Sequence, residues 1–532
     1  GEALFTELGT TVSSLLKKSH GVEMPCGGRH ACGKCMVYAE GSFAAPSETE
    51  QKLLGAERLA QGIRLACFLE AVPDGKIDAL RQEADGDETI CVSTPSAEAA
   101  PDARLYRHLG AAVDIGTTTI AAVLYREGRA VGTMGAWNPQ SVFGADVVSR
   151  MEASLEGKAD KLAAIVREAV SHLLTKLAEH AGEREEAIET VIITGNTSML
   201  YFLTQKDPRC LSRAPFEADE LFGWWTTGEA LDLSCRKADV YLPRCMSAFV
   251  GADITTAILG SGLTETDCIP GTDGSRKEAA AAIDPNVSCR ETDGVSAMHS
   301  GRARMMVDVG TNGEIVLFHK ERLICCATAA GPAFEGAGLS YGMRGVAGAI
   351  DHLSWENGSW KVHVIGDREA STAEGICGSG VIDGVAGLLE SGLLEDTGYL
   401  EEDVCFAGNV GLTAADIREV QLAKGAIRAG METLLAEEKM DAAGLESLYV
   451  AGGFGSIYVG QKRGKNRTFS KIDLSRIKIC GNDGTGMDAV KILHDRSMEK
   501  EATALAERAK TINLGSSAKF QEFYMEYMMF DE

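Results

Sequence analysis

The sequence predicts an α/β protein with a duplicated two-lobed core and a smaller cysteine-bearing lobe ahead of it. Three observations predict this. An apolar strand, a turn of the form Asp-x-Gly-Thr and a second strand occur twice, as Ala112-Val113-Asp114-Ile115-Gly116-Thr117-Thr118-Thr119-Ile120 and as Val307-Asp308-Val309-Gly310-Thr311-Asn312-Gly313-Glu314-Ile315. Each copy is followed by helical sequence and then by a strand running into glycine, Val191-Ile192-Ile193-Thr194-Gly195-Asn196 and Leu448-Tyr449-Val450-Ala451-Gly452-Gly453. Cys26, Cys32 and Cys35 share one glycine-rich loop, and Cys67 returns to them from a later strand. Alternating strand and helix in two copies means one α/β unit facing its duplicate.

Composition narrows the function classes. A net charge of −25, from 77 acidic and 52 basic residues, argues against sequence-independent binding to nucleic acid or to anionic membranes. A macromolecular partner is therefore expected to be another protein. With 45% hydrophobic and 24% charged residues, the 532-residue chain is ordinary for a globular protein and long enough for two or three domains. No apolar run approaches the roughly 18 residues of a membrane span. The opening residues Gly1 to Leu8 lack a basic segment before an apolar core, so the expected compartment is the cytoplasm. Eleven of the 15 cysteines lie outside the N-terminal set, show no common spacing and read as reduced thiols, with Cys325 and Cys326 in a buried strand.

Taken in order, Leu4, Phe5, Leu8, Val12, Leu15 and Leu16 recur at helical spacing, and Gly21 ends the helix. The loop from Cys26 to Cys35 is close to the C-x4-C-x2-C spacing of plant-type clusters, one residue longer in its first gap, with Cys67 as the distant fourth thiol. Four thiolates meet the ligand count of an iron–sulfur cluster, and Gly27, Gly28 and Gly33 let the backbone wrap it with N–H groups toward sulfur. Four cysteines alone also allow structural zinc, but such sites usually pair two C-x2-C knuckles, and here only Cys32 and Cys35 are so spaced. Met36 to Ala39 reads as a strand, Ser47-Glu48-Thr49-Glu50 as a capping box opening a helix over Leu53, Leu54 and Leu59, and Ile63 to Leu69 as the strand carrying Cys67. Residues 81–108, rich in Ala, Asp, Glu, Ser and Pro, read as a linker.

The hairpins suggest their own chemistry. Gly116 and Gly310 would let the backbone approach a phosphate and present N–H groups to it, while Thr117, Thr118 and Thr311 add hydroxyl donors. Asp114 and Asp308, carboxylates at strand ends, suit a hydrated Mg²⁺. A nucleoside triphosphate clamped between the two hairpins is the natural reading. The chain has no G-x-x-x-x-G-K-[ST] loop, which excludes P-loop chemistry. The helix over Leu162, Ile165, Val166, Val170, Leu173, Leu174 and Leu177 is core packing. Lys424, on a helix with Ile417, Val420, Ile427, Met431 and Leu434, reads either as a nucleotide contact or as a solvated lysine.

Further motifs accompany the hairpins: Asn138-Pro139-Gln140 with Gly144 to Arg150, Gly195-Asn196-Thr197-Ser198-Met199, Gly251-Ala252-Asp253, Ala330 to Gly336, Gly375 to Gly380, Gln421 to Ile427 and Gly452 to Gly455. The set resembles the actin-like (RNase H-like) ATPase superfamily of acetate and sugar kinases, Hsp70 and actin, and within it the reductive activators of corrinoid proteins. Those activators join a ferredoxin domain to an actin-like ATPase, and the N-terminal segment resembles a plant-type ferredoxin β-grasp lobe without its opening hairpin. The resemblance implies a 2Fe–2S ferredoxin-like domain over 1–80, then, after the linker 81–108, a first ATPase lobe 109–262 and a second lobe 304–532; residues 263–303 depart from it, standing where only a short junction is expected, and read as a flexible insertion. It implies a [2Fe–2S] cluster on Cys26, Cys32, Cys35 and Cys67, and ATP with Mg²⁺ at Asp114 and Asp308. Implied cofactor contacts are Gly116, Thr117, Thr118, Gly310, Thr311, Asn312, Gly378, Gly380, Lys424, Gly452 and Gly453.

The implied function is ATP-dependent reduction of a corrinoid cobalt from Co(II) to Co(I) in support of methyl transfer. Its partners would be a corrinoid protein and a low-potential electron donor, with a homodimer left open. Longer activators carry a middle domain after the ferredoxin, for which residues 81–108 leave no room. Two rivals stand beside this reading: a redox-sensing small-molecule kinase, which would phosphorylate an organic acceptor, and a chaperone-like interaction protein, for which no substrate-binding domain follows the ATPase. The basic run Lys462 to Arg467 reads as an exposed loop.

Overall fold

A computed structural model describes residues 10–16, 35–73, 75–79, 101–144, 146–264, 303–366, 368–451, 476–479 and 489–530. The expectations for Cys26, Cys32, Gly452, Gly453, the basic run Lys462 to Arg467 and nearly all of 263–303 lie outside the described residues.

The N-terminal lobe contains α1 (Val12–Leu16), β1 (Met36–Glu40), α2 (Glu48–Ala60), β2 (Ile63–Leu65) and β3 (Lys76–Ala79), with an antiparallel sheet ordered β2-β1-β3. Val12, Val37, Leu54, Ile63, Leu65 and Leu69 form its core around Cys35 and Cys67. Two local expectations are corrected. The strand carrying Cys67 stops at Leu65, and the cysteine sits on the 3-10 turn Ala66–Phe68. The expected capping box is half formed: Ser47 Oγ accepts from Glu50 N at 3.1 Å, but the Glu50 carboxylate turns inward to accept from Leu65 N at 2.9 Å and from Arg64. A fully buried carboxylate needs a paired cation more than a helix needs its second cap bond.

The first large sheet holds β4 (Leu109–Ile115), β5 (Thr119–Arg126), β6 (Arg129–Trp137), β7 (Ile188–Gly195), β8 (Trp224–Thr227) and β9 (Asp239–Leu242), ordered β6-β5-β4-β7-β9-β8. Its helices are α3 (Val147–Ala153), α4 (Ala159–His180), α5 (Thr197–Thr204), α6 (Arg209–Ser212) and α7 (Ala252–Ser261). The second large sheet is ordered β19-β18-β10-β11-β12-β20, from β10 (Ala303–Val309), β11 (Gly313–His319), β12 (Arg322–Thr328), β18 (Leu445–Ala451), β19 (Ile477–Ile479) and β20 (Lys510–Thr511). Between β12 and β18 in sequence come β13 (Ala349–Glu356), β14 (Ser359–Val364) and β15 (Gly375–Ile376) as a small sheet, α8 (Gly378–Ser391), the ribbon β16 (Val404–Ala407) with β17 (Val410–Leu412), and α9 (Ala414–Glu437). Helices Ala489–His494, Met498–Arg508 and Ala518–Tyr527 follow.

The duplication is a duplication of topology. β4, β5 and β6 run antiparallel and β4 pairs in parallel with β7, while β10, β11 and β12 run antiparallel and β10 pairs in parallel with β18. Central strands are mostly apolar because both faces are covered, the exceptions including Arg304 and the acids Asp114, Asp308 and Glu314. Ala111, Val113 and Ile115 of β4 pack on Leu162, Val166, Val170 and Leu173 of α4, as their spacing predicts. Ala112 points the other way, into a core that also contains Ile254 and Ile258 of α7, Met306 and Val316 of the second sheet, and Ile492. One face of each sheet therefore packs on its own helices and the other on a layer both sheets share. Fully burying each Leu, Ile or Val there contributes about 1.5–3 kcal/mol.

Candidate functional site

The two hairpins meet in the cleft between the large sheets. Asp114 and Asp308 each stand one residue before the end of the first strand of their hairpin, at equivalent positions of the two copies. The turns are tight: Gly116 N–H donates to Thr119 O at 2.8 Å and Gly310 N–H to Asn312 O at 3.1 Å. A Cβ on Gly116 would lie 2.8 Å from Thr119 O, so glycine is required here to close the turn. This corrects the expectation that these two N–H groups face a phosphate. The first hairpin is further pinned by the buried Asn138, whose N–H donates to Thr118 O at 2.8 Å and whose amide donates to Gly116 O at 2.8 Å.

One carboxylate joins the hairpins. Glu335, on the turn Pro332–Glu335, accepts from Thr311 N at 3.0 Å and Thr311 Oγ1 at 2.8 Å in its own lobe. It also accepts from Thr118 Oγ1 at 2.8 Å across the cleft. Asn196 and Glu314 form a second link, 3.4 Å from amide to carboxylate, and Arg344 lies over the Trp137 ring at 3.4 Å. Arg150 is fully buried beside this region, donating to Gly144 O at 3.0 Å.

The cleft gathers acids. Burial and the nearby charge of Asp308 push the Asp253 carboxyl up to about 7. Burial and the charge of Glu335 push Asp308 up to about 6. Glu314, opposite Asp308 in the ladder, is raised well above the ordinary range by burial and by both aspartates. Among the described residues no three acidic, histidine or cysteine side chains converge closely enough to bind a metal directly. The sign of the linkage is fixed by these shifts. An unfolded aspartate titrates near about 3.9, so between that pH and about 7 the folded chain binds more protons than the unfolded one and loses stability as pH rises. The thermal midpoint of nucleotide-free protein should fall from pH 5 to pH 8, and Asp253→Asn should flatten the profile. A flat wild-type profile would remove the acid cluster from the account.

Other expected residues are placed elsewhere. Lys424 is buried, donates to Tyr527 O at 3.0 Å and to Met529 O, and stands 5.3 Å from the Phe530 ring. Its ammonium thus holds the C-terminal segment against α9, which corrects both the nucleotide-contact and the solvated readings. Gly378 and Gly380 begin α8, which packs against the turn bearing Glu335. A Cβ on Gly380 would lie 2.3 Å from Ile350 O, so that glycine serves the close approach of α8 to β13. Sequence reasoning gave no role to Asp253, Glu314 or Glu335. Glu314 carried a signal, a lone acid in an otherwise apolar strand.

In the N-terminal lobe, Cys35 Sγ and Cys67 Sγ stand 3.3 Å apart and buried. Ala66 N–H donates to Cys35 O at 2.8 Å, which locks the two segments together. Two thiols aimed at one spot fit a shared metal centre.

Two α/β lobes, each presenting a hairpin to one cleft, define the actin-like class of nucleotide-binding proteins. Residues 302–532 match the family described as the C-terminal domain of RACo, the ASKHA domain, and residues 109–266 match the RACo middle region. The chain belongs to this family of corrinoid-protein activators. The family's middle region falls on the first large sheet and its helices, so it needs no room within residues 81–108.

Relatives agree. The chain is 28% identical over 461 residues to the corrinoid activation enzyme RamQ of Eubacterium limosum, spanning 80% of this chain and 70% of that one. It is 30% identical over 244 residues to the [Co(II) methylated amine-specific corrinoid protein] reductase of Methanosarcina barkeri, spanning 42% and 45%. A stretch of 69 residues is 36% identical to a component of the Na(+)-translocating NADH-quinone reductase of Chlamydia muridarum, 13% of this chain and 16% of that one. A solved reductive activator for corrinoid, iron-sulfur protein superposes with a TM-score of 0.67 at 25% identity, covering 98% of this chain and 95% of that one.

Proposed function

We propose that this chain activates a corrinoid protein by reducing its cobalt from Co(II) to Co(I), with ATP bound between the paired hairpins and the electron passing through the N-terminal lobe. The observation that carries the reading is the carboxylate-bridged pair of hairpins, in a chain that matches a reductive activator over nearly its whole length. Asp114 and Asp308 would hold hydrated Mg²⁺, and the hydroxyls of Thr117, Thr118 and Thr311 would orient the phosphates. Cys35 and Cys67, with Cys26 and Cys32, would hold the [2Fe–2S] cluster. When bound, such a cluster supplies one-electron transfer at roughly −400 mV.

The Co(II)/Co(I) couple of a corrinoid protein is expected to lie lower, so the transfer is uphill. A nucleotide shifts that balance only through different affinities for two conformations of the complex. Hydrogen bonds cross the cleft at Thr118 and Asn196, so a change in the separation of the lobes would have to break them. The chain's own residues thus bind nucleotide, position the lobes and seat the cluster, while the corrinoid protein is the substrate. The kinase alternative has no supporting observation of its own.

The test uses a corrinoid protein in the Co(II) state, a low-potential reductant and the full chain under anaerobic conditions. The cobalt absorbance should move to the Co(I) spectrum only when ATP and Mg²⁺ are both present, with phosphate released free. Full Co(I) formation without nucleotide, at a reductant potential too high to drive it directly, would refute the coupling.

A further inference from the structure

The donors assigned to the nucleotide phosphates are already engaged. Glu335 takes the Thr311 N–H, the Thr311 hydroxyl and the Thr118 hydroxyl. A backbone N–H and two hydroxyls converging on one anion is a set that serves a phosphate oxygen equally well. The carboxylate does not arrive there by chance of a floppy side chain. Ala333 and Phe334 anchor its turn in the core, Gly336 closes the turn at φ 70°, and Gly331 N–H donates to Thr311 O at 2.9 Å. The same stretch of the second lobe reaches the first lobe again at Arg344 over Trp137.

We propose that Glu335 is a built-in competitor for the phosphate end of the nucleotide, a carboxylate that occupies the hairpin donors in the empty chain and is displaced when phosphate takes them. The inference rests on the assignment of nucleotide to the hairpins. Two anions cannot share three donors, since like charges a few ångströms apart repel strongly even in a partly screened site. Displacement breaks the Thr118 link between the lobes and frees the segment that also carries Arg344. Nucleotide binding is thereby coupled to the contact between lobes, and its apparent affinity is lowered by the fraction of chains in which Glu335 holds the donors.

The test is Mg-ADP binding by isothermal titration calorimetry to wild type, Glu335→Gln, Glu335→Asp and Asp308→Asn. Glu335→Gln removes the competing charge and should bind about tenfold tighter or more. Glu335→Asp keeps the charge but falls short of the hydroxyls, and it should tighten binding by a smaller factor. The aspartate variant also keeps the inference testable if the glutamine variant does not fold. A purely structural clasp would lower the melting temperature and leave affinity unchanged, and that result overturns the competitor. Weaker binding in both Glu335 variants overturns it too, since Glu335 would then assist the nucleotide. If Asp308→Asn binds Mg-ADP as wild type does, the hairpins are not the nucleotide site and both readings fall together. Loss of binding in Asp308→Asn with unchanged affinity in the Glu335 variants sinks the competitor alone.

Discussion

Asp308→Asn is expected to lower ATP turnover at least tenfold, about 1.4 kcal/mol of transition-state stabilisation. Asparagine keeps the shape of the side chain at the end of β10 and removes the charge that would hold a hydrated cation. Asp308 stands opposite Glu314 and near the charges of Asp253 and Glu335, so removing one negative charge relieves repulsion. The variant should therefore melt no lower than wild type, which separates a lost function from a lost fold. Asp114→Asn at the equivalent position of the first hairpin should also reduce turnover. Unchanged hydrolysis in both variants would move the site away from the hairpins.

The second large effect is in the N-terminal lobe. Cys67→Ser, and equally Cys32→Ser, should abolish the visible absorbance and the reduced-state EPR signal, and should stop cobalt reduction while ATP hydrolysis continues. Cys67 lies on a turn whose core is separate from those of the large sheets. Loss of the cluster therefore leaves the hairpins and their cleft unaltered. Two irons per chain are expected after anaerobic preparation. Stoichiometric zinc with no chromophore would replace the redox assignment by a structural one.

What the sequence revealed and what it hid follow from the range of the interactions. The strand–turn–strand repeat is a local pattern, and its two copies lie where the spacing places them, on β4–β5 and β10–β11. The helix over Leu162 to Leu177 is likewise local and packs as its periodicity requires. Glu335 lies in the motif Ala330 to Gly336, but its role was hidden because it depends on Thr118, 217 residues away, and no periodicity registers a contact across two lobes. Lys424 is hidden for a related reason. It falls in the apolar stripe of α9, between Val420 and Ile427, and the carbonyls that accept from its ammonium there, at Tyr527 and Met529, are distant in sequence. The Glu50 cap failed because the motif describes a helix end in isolation, whereas a strand fifteen residues later offered that carboxylate a better partner.

The core shared by the two large sheets also bears on how the chain can be divided. Ile254, Ile258, Met306, Val316 and Ile492 are buried against one another across the boundary between the repeats. A polypeptide ending before residue 303, or one starting there, would present that apolar face to water and seek its missing half. The duplicated units are therefore complementary fragments rather than autonomous domains. Severed between residues 264 and 303 and produced together, they should reassemble through this interface, whereas either fragment alone should be insoluble.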